Sequence, residues 1–153
     1  MAELALIKTP QGLLAPSNQE DVDVVQRWKV GDVIRVKATK MRNGKFHRKF
    51  FALLQVGFDA WEPAESEYHG LPVQKNFERF RKDVIIATGR YSIVVGLDGK
   101  NKLEAHSMSF ANMDDLEFER LYSDAANVIL QRILTHYTKD DLDNVVQQVL
   151  DMV

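Results

Sequence analysis

The stretch Asn43-Gly44-Lys45-Phe46-His47-Arg48-Lys49-Phe50-Phe51-Ala52-Leu53-Leu54-Gln55-Val56-Gly57-Phe58-Asp59-Ala60-Trp61 decides how the rest of the chain must fold. Phe46, Phe50, Leu53, Gly57 and Trp61 recur at spacings of three and four, and Phe51, Leu54 and Phe58 widen the stripe. That period belongs to a helix, and a stripe this wide belongs to one buried over much of its circumference. Asn43-Gly44 marks its start. The aromatic residues at helical spacing are therefore expected in the core rather than in a base-stacking surface. Trp28, Tyr68 and Tyr91 are the better candidates for partly exposed rings.

Weaker signals lie on either side. Glu3–Lys8 reads as a short strand ended by Pro10-Gln11-Gly12, and Ser17-Asn18-Gln19-Glu20 has the spacing of a capping box opening a helix with Val22, Val25 and Trp28 inward. Val33–Ala38 alternates β-branched and basic residues and predicts a strand. Pro63–Pro72 has loop composition, and Gln74–Thr88 is helical with Phe77, Phe80, Val84 and Ile85 inward. Tyr91–Val95 and Leu103–Phe110 flank Asp98-Gly99, which predicts a hairpin. Asn112 is expected to cap a helix over Met113–His136 with Leu116, Leu121, Ala125, Val128, Ile129 and Ile133 inward. Thr138-Lys139-Asp140-Asp141 is expected to cap the last helix. The expected architecture is α+β: a single domain over residues 1–153, with a small antiparallel or mixed sheet of about four strands packed against four to five helices.

The 153 residues are 45% hydrophobic and 27% charged, with 20 Lys and Arg against 22 Asp and Glu. This balance excludes a disordered acidic or basic tail. The absence of cysteine excludes a disulfide framework, a thiolate metal site and a cysteine nucleophile. With no secretory leader and no apolar run of membrane-spanning length, the expected location is the cytoplasm, with no membrane partner. Near-neutrality hides a segregated distribution. From Lys29 to Phe58 eight basic residues face one acid, a net +7, while from Phe110 to Val153 nine acids face three bases, a net −6. Such asymmetry points to charged partners.

Lys45, Arg48 and Lys49 occupy the first turns of the central helix, where the macrodipole disfavours cations by roughly 0.3–1 kcal/mol each. Cations placed there suit a phosphate ligand. The candidate DNA contacts are Lys45, His47, Arg48 and Lys49, assisted by Lys37, Lys40 and Arg42. The other reading is a solvated basic face balanced by the acidic C-terminal helices, within the chain or across a dimer. The basic group Lys75, Arg79, Arg81, Lys82 and Arg90 is interrupted by acids and explained in part by pairs such as Glu78–Lys82.

Enzyme chemistry has little to stand on. Glu62, Glu65, Glu67 and His69 match no ligand spacing, and Asp114, Asp115, Glu117 and Glu119 are accounted for by a helix N-terminus. His106, in an expected strand, and His136, near a helix C-terminus, are isolated, and neither has a visible nucleophile partner. Ser107 and Ser109 lie in no elbow motif, and no glycine-rich phosphate loop is present. No catalytic residue, metal site or cofactor is expected.

Three blocks carry a resemblance: Leu4–Leu14, Arg42–Pro63 with its Phe46-His47-Arg48-Lys49-Phe50-Phe51-Ala52-Leu53-Leu54 core, and Phe110–Tyr122 with Phe110-Ala111-Asn112-Met113-Asp114. They resemble a family of uncharacterised phage and prophage proteins often encoded beside recombination genes, whose members are often longer between Trp61-Glu62-Pro63 and the hairpin. More distantly, Asn43, Arg48, Lys49 and Leu53, with Glu117-Phe118-Glu119-Arg120-Leu121 downstream, are similar to the NinB (Orf) recombination proteins of lambdoid phages. That likeness implies a dimer that assists host recombination by binding single-stranded DNA and the single-strand-binding protein. The leading expectation is therefore a homodimeric accessory to DNA recombination or replication that binds single-stranded or branched DNA without catalysis, together with host single-strand-binding or recombination proteins. Two other readings stand beside it. One is an interaction module in which Asp140, Asp141 and Asp143 engage a host protein or mimic DNA, and the other is a divalent-metal nuclease.

Overall fold

The computed structural model describes residues 3–38 and 44–152. The N-terminal segment forms a hairpin of β1 (Leu6–Lys8) and β2 (Leu14–Pro16), closed across Thr9–Leu13, and leads into α1 (Gln19–Gln26). Helix α1 is capped by Asn18, one residue after the expected Ser17, because the Asn18 side chain accepts the Asp21 N–H at 3.0 Å. The Asp21 carboxylate in turn accepts from Asn18 Nδ2 (2.8 Å) and from the Ala5 N–H (3.0 Å). This buried acid pins the β1 end of the chain to the helix. Burial pushes its carboxyl above the usual range, opposed by those hydrogen bonds.

Helix α2 (Gly44–Ala60) is the core of the molecule, as its stripe predicts. Phe50, Ala52, Leu53, Leu54 and Gly57 are buried, while Phe46, Phe51, Phe58 and Trp61 pack against the core from its margin. Around it lie α3 (Phe77–Ala87), α4 (Asp115–Arg132) and α5 (Lys139–Asp151), each in contact with α2. All four inward positions expected on α3 are buried. Helix α4 starts at an Asp114–Glu117 capping box, two residues beyond the expected Asn112, which closes a short 3₁₀ turn (Phe110–Asn112) instead. Its buried face runs through Phe118, Leu121, Tyr122, Ala125, Ala126 and Ile129, leaving Leu116 exposed. Thr138 and Asp141 form the capping box of α5 as expected.

The α+β class holds, with five α-helices among the described residues, but the described strands do not gather into one sheet. They form three separate antiparallel hairpins: β1–β2, β3 (Glu67–Tyr68) with β4 (Leu71–Pro72), and β5 (Tyr91–Val95) with β6 (Asn101–Ala105). The second lies where loop composition predicts none. It is made possible by His69 and Gly70, both at positive φ (51° and 77°), the backbone of a two-residue hairpin turn. In the third, Val95 pairs with Asn101, so the second strand starts before the expected Leu103. The strand predicted at Val33–Ala38 does not form. No strand among the described residues pairs with it, and Val33 is 96% exposed. A β-branched run without a ladder partner cannot satisfy its backbone as a strand.

Gly57 sets the spacing between α2 and its neighbours. A Cβ there would lie 2.9 Å from Ile129 Cδ1 and 3.2 Å from Phe80 Cζ. Gly57→Val is therefore expected to overpack the core and destabilise the fold by about 1–3 kcal/mol, outweighing any gain in helix propensity. A thermal melt lowered by several degrees is the expected result, and an unchanged melt contradicts this packing.

Candidate nucleic-acid interface

The first turns of α2 carry no acidic residue to offset the positive end of the helix dipole. Lys45, Arg48 and Lys49 stand at i, i+3 and i+4 and share one face. Their surroundings differ. Lys45 is exposed, with no ion pair among the described residues. Arg48 is also exposed and unpaired within the described residues, with its stem along a groove formed by Val22, Phe51, Ala52, Val149 and Leu150. Lys49 is half-buried, its Nζ 4.6 Å from the centre of the Tyr122 ring, a cation–π contact of about 1 kcal/mol.

His47 points the other way. Its ring stacks on Phe51 (4.4 Å between centres) and meets Phe110 edge-on (5.6 Å). Burial holds its pKa below the ordinary histidine value, and the positive charge of Arg81 adds to this. The half-buried ring is thus engaged in aromatic packing, unlike the exposed Lys45 and Arg48. Lys37 is exposed in the unpaired segment ahead of the helix. Lys40 and Arg42, together with the expected cap Asn43, lie outside the described residues.

Lys49 also lines a shallow cleft of about 400 Å³ between α2, α4 and α5, with Glu119, Arg120, Tyr122, Ser123, Lys139 and Asp143 around it. Lys139 Nζ donates to Ser123 Oγ at 3.3 Å, and the Tyr122 hydroxyl donates to Asp143 at 3.3 Å. Burial and the Asp143 carboxylate push the Tyr122 phenol above its usual range. Three cations thus meet two carboxylates. Arg120 and Lys139 are contributions to this basic rim that sequence reading missed, because both sit inside the acidic C-terminal segment and count there only as minority charges.

The acidic candidates are partly committed to the fold. Asp141 accepts the Thr138 N–H (2.9 Å) as part of the α5 capping box, which lowers its pKa, and Asp143 accepts from Tyr122. Asp140 is exposed. Among the described residues, no three His, Asp or Glu side chains are grouped to hold a metal ion, and no helix is long and apolar enough to cross a membrane.

A family model described as protein of unknown function (DUF1367) matches residues 1–70 and 64–152. The chain belongs to this family. No curated protein matches it. A solved structure described as NinB aligns over 100% of both chains at 19% identity with a TM-score of 0.42. The DUF1367 match spans α2 and its basic end together with α4 and α5, so the whole cleft lies within the family's extent.

The position of His47 has a measurable consequence. Its folded-state pKa is depressed, so the stability it contributes is fully present above the unfolded value near 6.5 and is lost as pH falls through the folded value. Relative to His47→Phe, the wild type is expected to lose stability progressively below pH 6.5. An NMR titration of the imidazole should show its midpoint below that value, and a midpoint at or above 6.5 contradicts the buried, neutral ring.

Proposed function

We propose that this DUF1367 protein binds the DNA backbone without catalysis, through the basic end of α2, as an accessory to recombination or replication in the bacterial cytoplasm. One observation carries the reading: Lys45 and Arg48 are exposed and unpaired within the described residues, at the helix end where the dipole disfavours them. A phosphate ligand turns that local cost into a gain, because the cations and the dipole then act together. Lys49, Arg120 and Lys139 extend the basic rim along the cleft, and Lys37 precedes the helix. The charges contact phosphates, which carry no sequence information, so binding is largely sequence-independent. The resemblance of the chain's blocks to phage and prophage proteins encoded beside recombination genes supports the accessory role.

The acidic-helix reading draws less support, since Asp141, though exposed, caps α5 and Asp143 accepts from Tyr122, which leaves Asp140 as the exposed acid of the three with no such bond among the described residues.

The test is the affinity of the wild type and of Lys45→Glu/Arg48→Glu for a labelled single strand and for a duplex at two salt concentrations. The wild type is expected to bind more weakly as salt rises. The double variant should bind at least about tenfold more weakly, with a log–log salt slope smaller by about 1.4, the loss of two phosphate contacts. No binding at low salt, or an unchanged slope in the variant, overturns the proposal. With Mg²⁺ or Mn²⁺ added, the strand is expected to stay intact, and cleavage of branched DNA would return the nuclease reading.

A further inference from the structure

We propose that β5 is a self-pairing edge, through which two copies of this chain join their β5–β6 hairpins into one four-stranded antiparallel sheet. The inference is independent of the DNA-binding reading and rests on three features of the hairpin.

The first is which edge is open. The ladder is bracketed by two hydrogen bonds, His106 N–H to the Arg90 carbonyl (3.0 Å) and Gly96 N–H to the Lys100 carbonyl (2.8 Å). In an antiparallel pair, bonded and non-bonded positions alternate, so the backbone groups of Tyr91, Ile93 and Val95 point away from β6. No other strand among the described residues pairs with β5, while β6 lies against α3. The hairpin is held on the molecule through β6, which packs on α3, and its β5 edge stays available to a further strand.

The second is the side chains. The face shared by Tyr91, Ile93, Val95 and Leu103 is apolar, yet Ile93 is 66% and Val95 72% exposed. The opposite face carries Ser92, Lys102 and Glu104 with Val94 among them. Pairing β5 with a second β5 would bring the two exposed apolar rows side by side as cross-strand neighbours on one face of the joined sheet.

The third is charge. Edge strands are ordinarily guarded by charged residues or proline, and β6 carries Lys102 and Glu104, whereas Tyr91-Ser92-Ile93-Val94-Val95 has neither. An uncharged strand meets an identical copy without like-charge repulsion. Two-fold antiparallel pairing also makes the contact isologous and closed.

Full-length pairing of a five-residue strand with itself fixes the register. Ile93 faces Ile93 of the second copy, Tyr91 faces Val95, and all three outward-pointing residues exchange backbone hydrogen bonds. The edge alone is short, so the dimer is reversible and concentration-dependent.

The chain has no cysteine, so a single introduced thiol reports the register directly. Ile93→Cys is expected to form a disulfide-linked dimer under mild oxidation. Val95→Cys, just as exposed, is expected to remain monomeric, because its symmetry mate lies roughly 13 Å along the strand, too far to bridge. By light scattering, the wild-type mass is expected to rise from 17.5 kDa towards twice that value with concentration. Ile93→Lys should stay at 17.5 kDa with an unchanged helical circular-dichroism spectrum. A wild type that is monomeric at every concentration overturns the proposal, as does a dimer that survives Ile93→Lys or equal cross-linking of the two cysteine variants.

Discussion

The rotation of α2 about its own axis governs everything else in this molecule, and aromatic packing fixes it. Phe46 lies flat on Phe118, with ring centres 4.2 Å apart and planes within 2° of parallel, and Phe50 packs against Phe110 at 5.5 Å. Further along, Phe58 meets Phe77 and Phe80 edge-on, and Gly57 lets Ile129 approach. With Phe46 and Phe50 held on the core side, Lys45 and Arg48 have no route inward and Lys49 is left at the rim over Tyr122. Each contact is small, but a stripe of rings this wide admits one rotation of the helix, and that rotation delivers three cations to one surface.

The same constraint separates His47 from its neighbours in sequence. It belongs to the one basic cluster of the helix start, yet at 100° per residue it falls on the Phe51 side and is drawn between two rings. Charge counting along the chain treats it as one more donor, whereas helical geometry makes it a packing residue. Arg120 and Lys139 show the converse. They are minority cations in an acidic segment, but α4 and α5 fold them beside Lys49. Segregation by sequence segment is therefore only a partial guide to segregation in space.

The helices were legible because their signals are local: a 3.6-residue stripe for α2 and α3, and a Thr138–Asp141 capping box for α5. Caps shifted by one or two residues wherever several capping side chains stood together, as at Ser17–Asn18 and Asn112–Asp114, since tertiary bonds such as Asp21 to Ala5 choose among them. Strands were legible only where a turn closes them locally. Asp98-Gly99 announces β5–β6, but His69-Gly70 is a weaker signal because histidine rarely takes positive φ. Val33–Ala38 has strand propensity and no ladder, a reminder that β structure is decided by the partner rather than by the segment. Of the site, Lys45, Arg48 and Lys49 were readable from spacing, while their division into free and engaged cations depended on which helices pack beside them.

The central claim is that the aromatic core aims the basic start of α2 at an anion. The most direct measurement is an amide NMR titration of the protein with a short single-stranded oligonucleotide at low salt. The account predicts shifts concentrated at Lys45–Lys49 and at Arg120 and Lys139, reversed by added salt. Shifts confined to the Asp140 side of α5, or none at all, would contradict it.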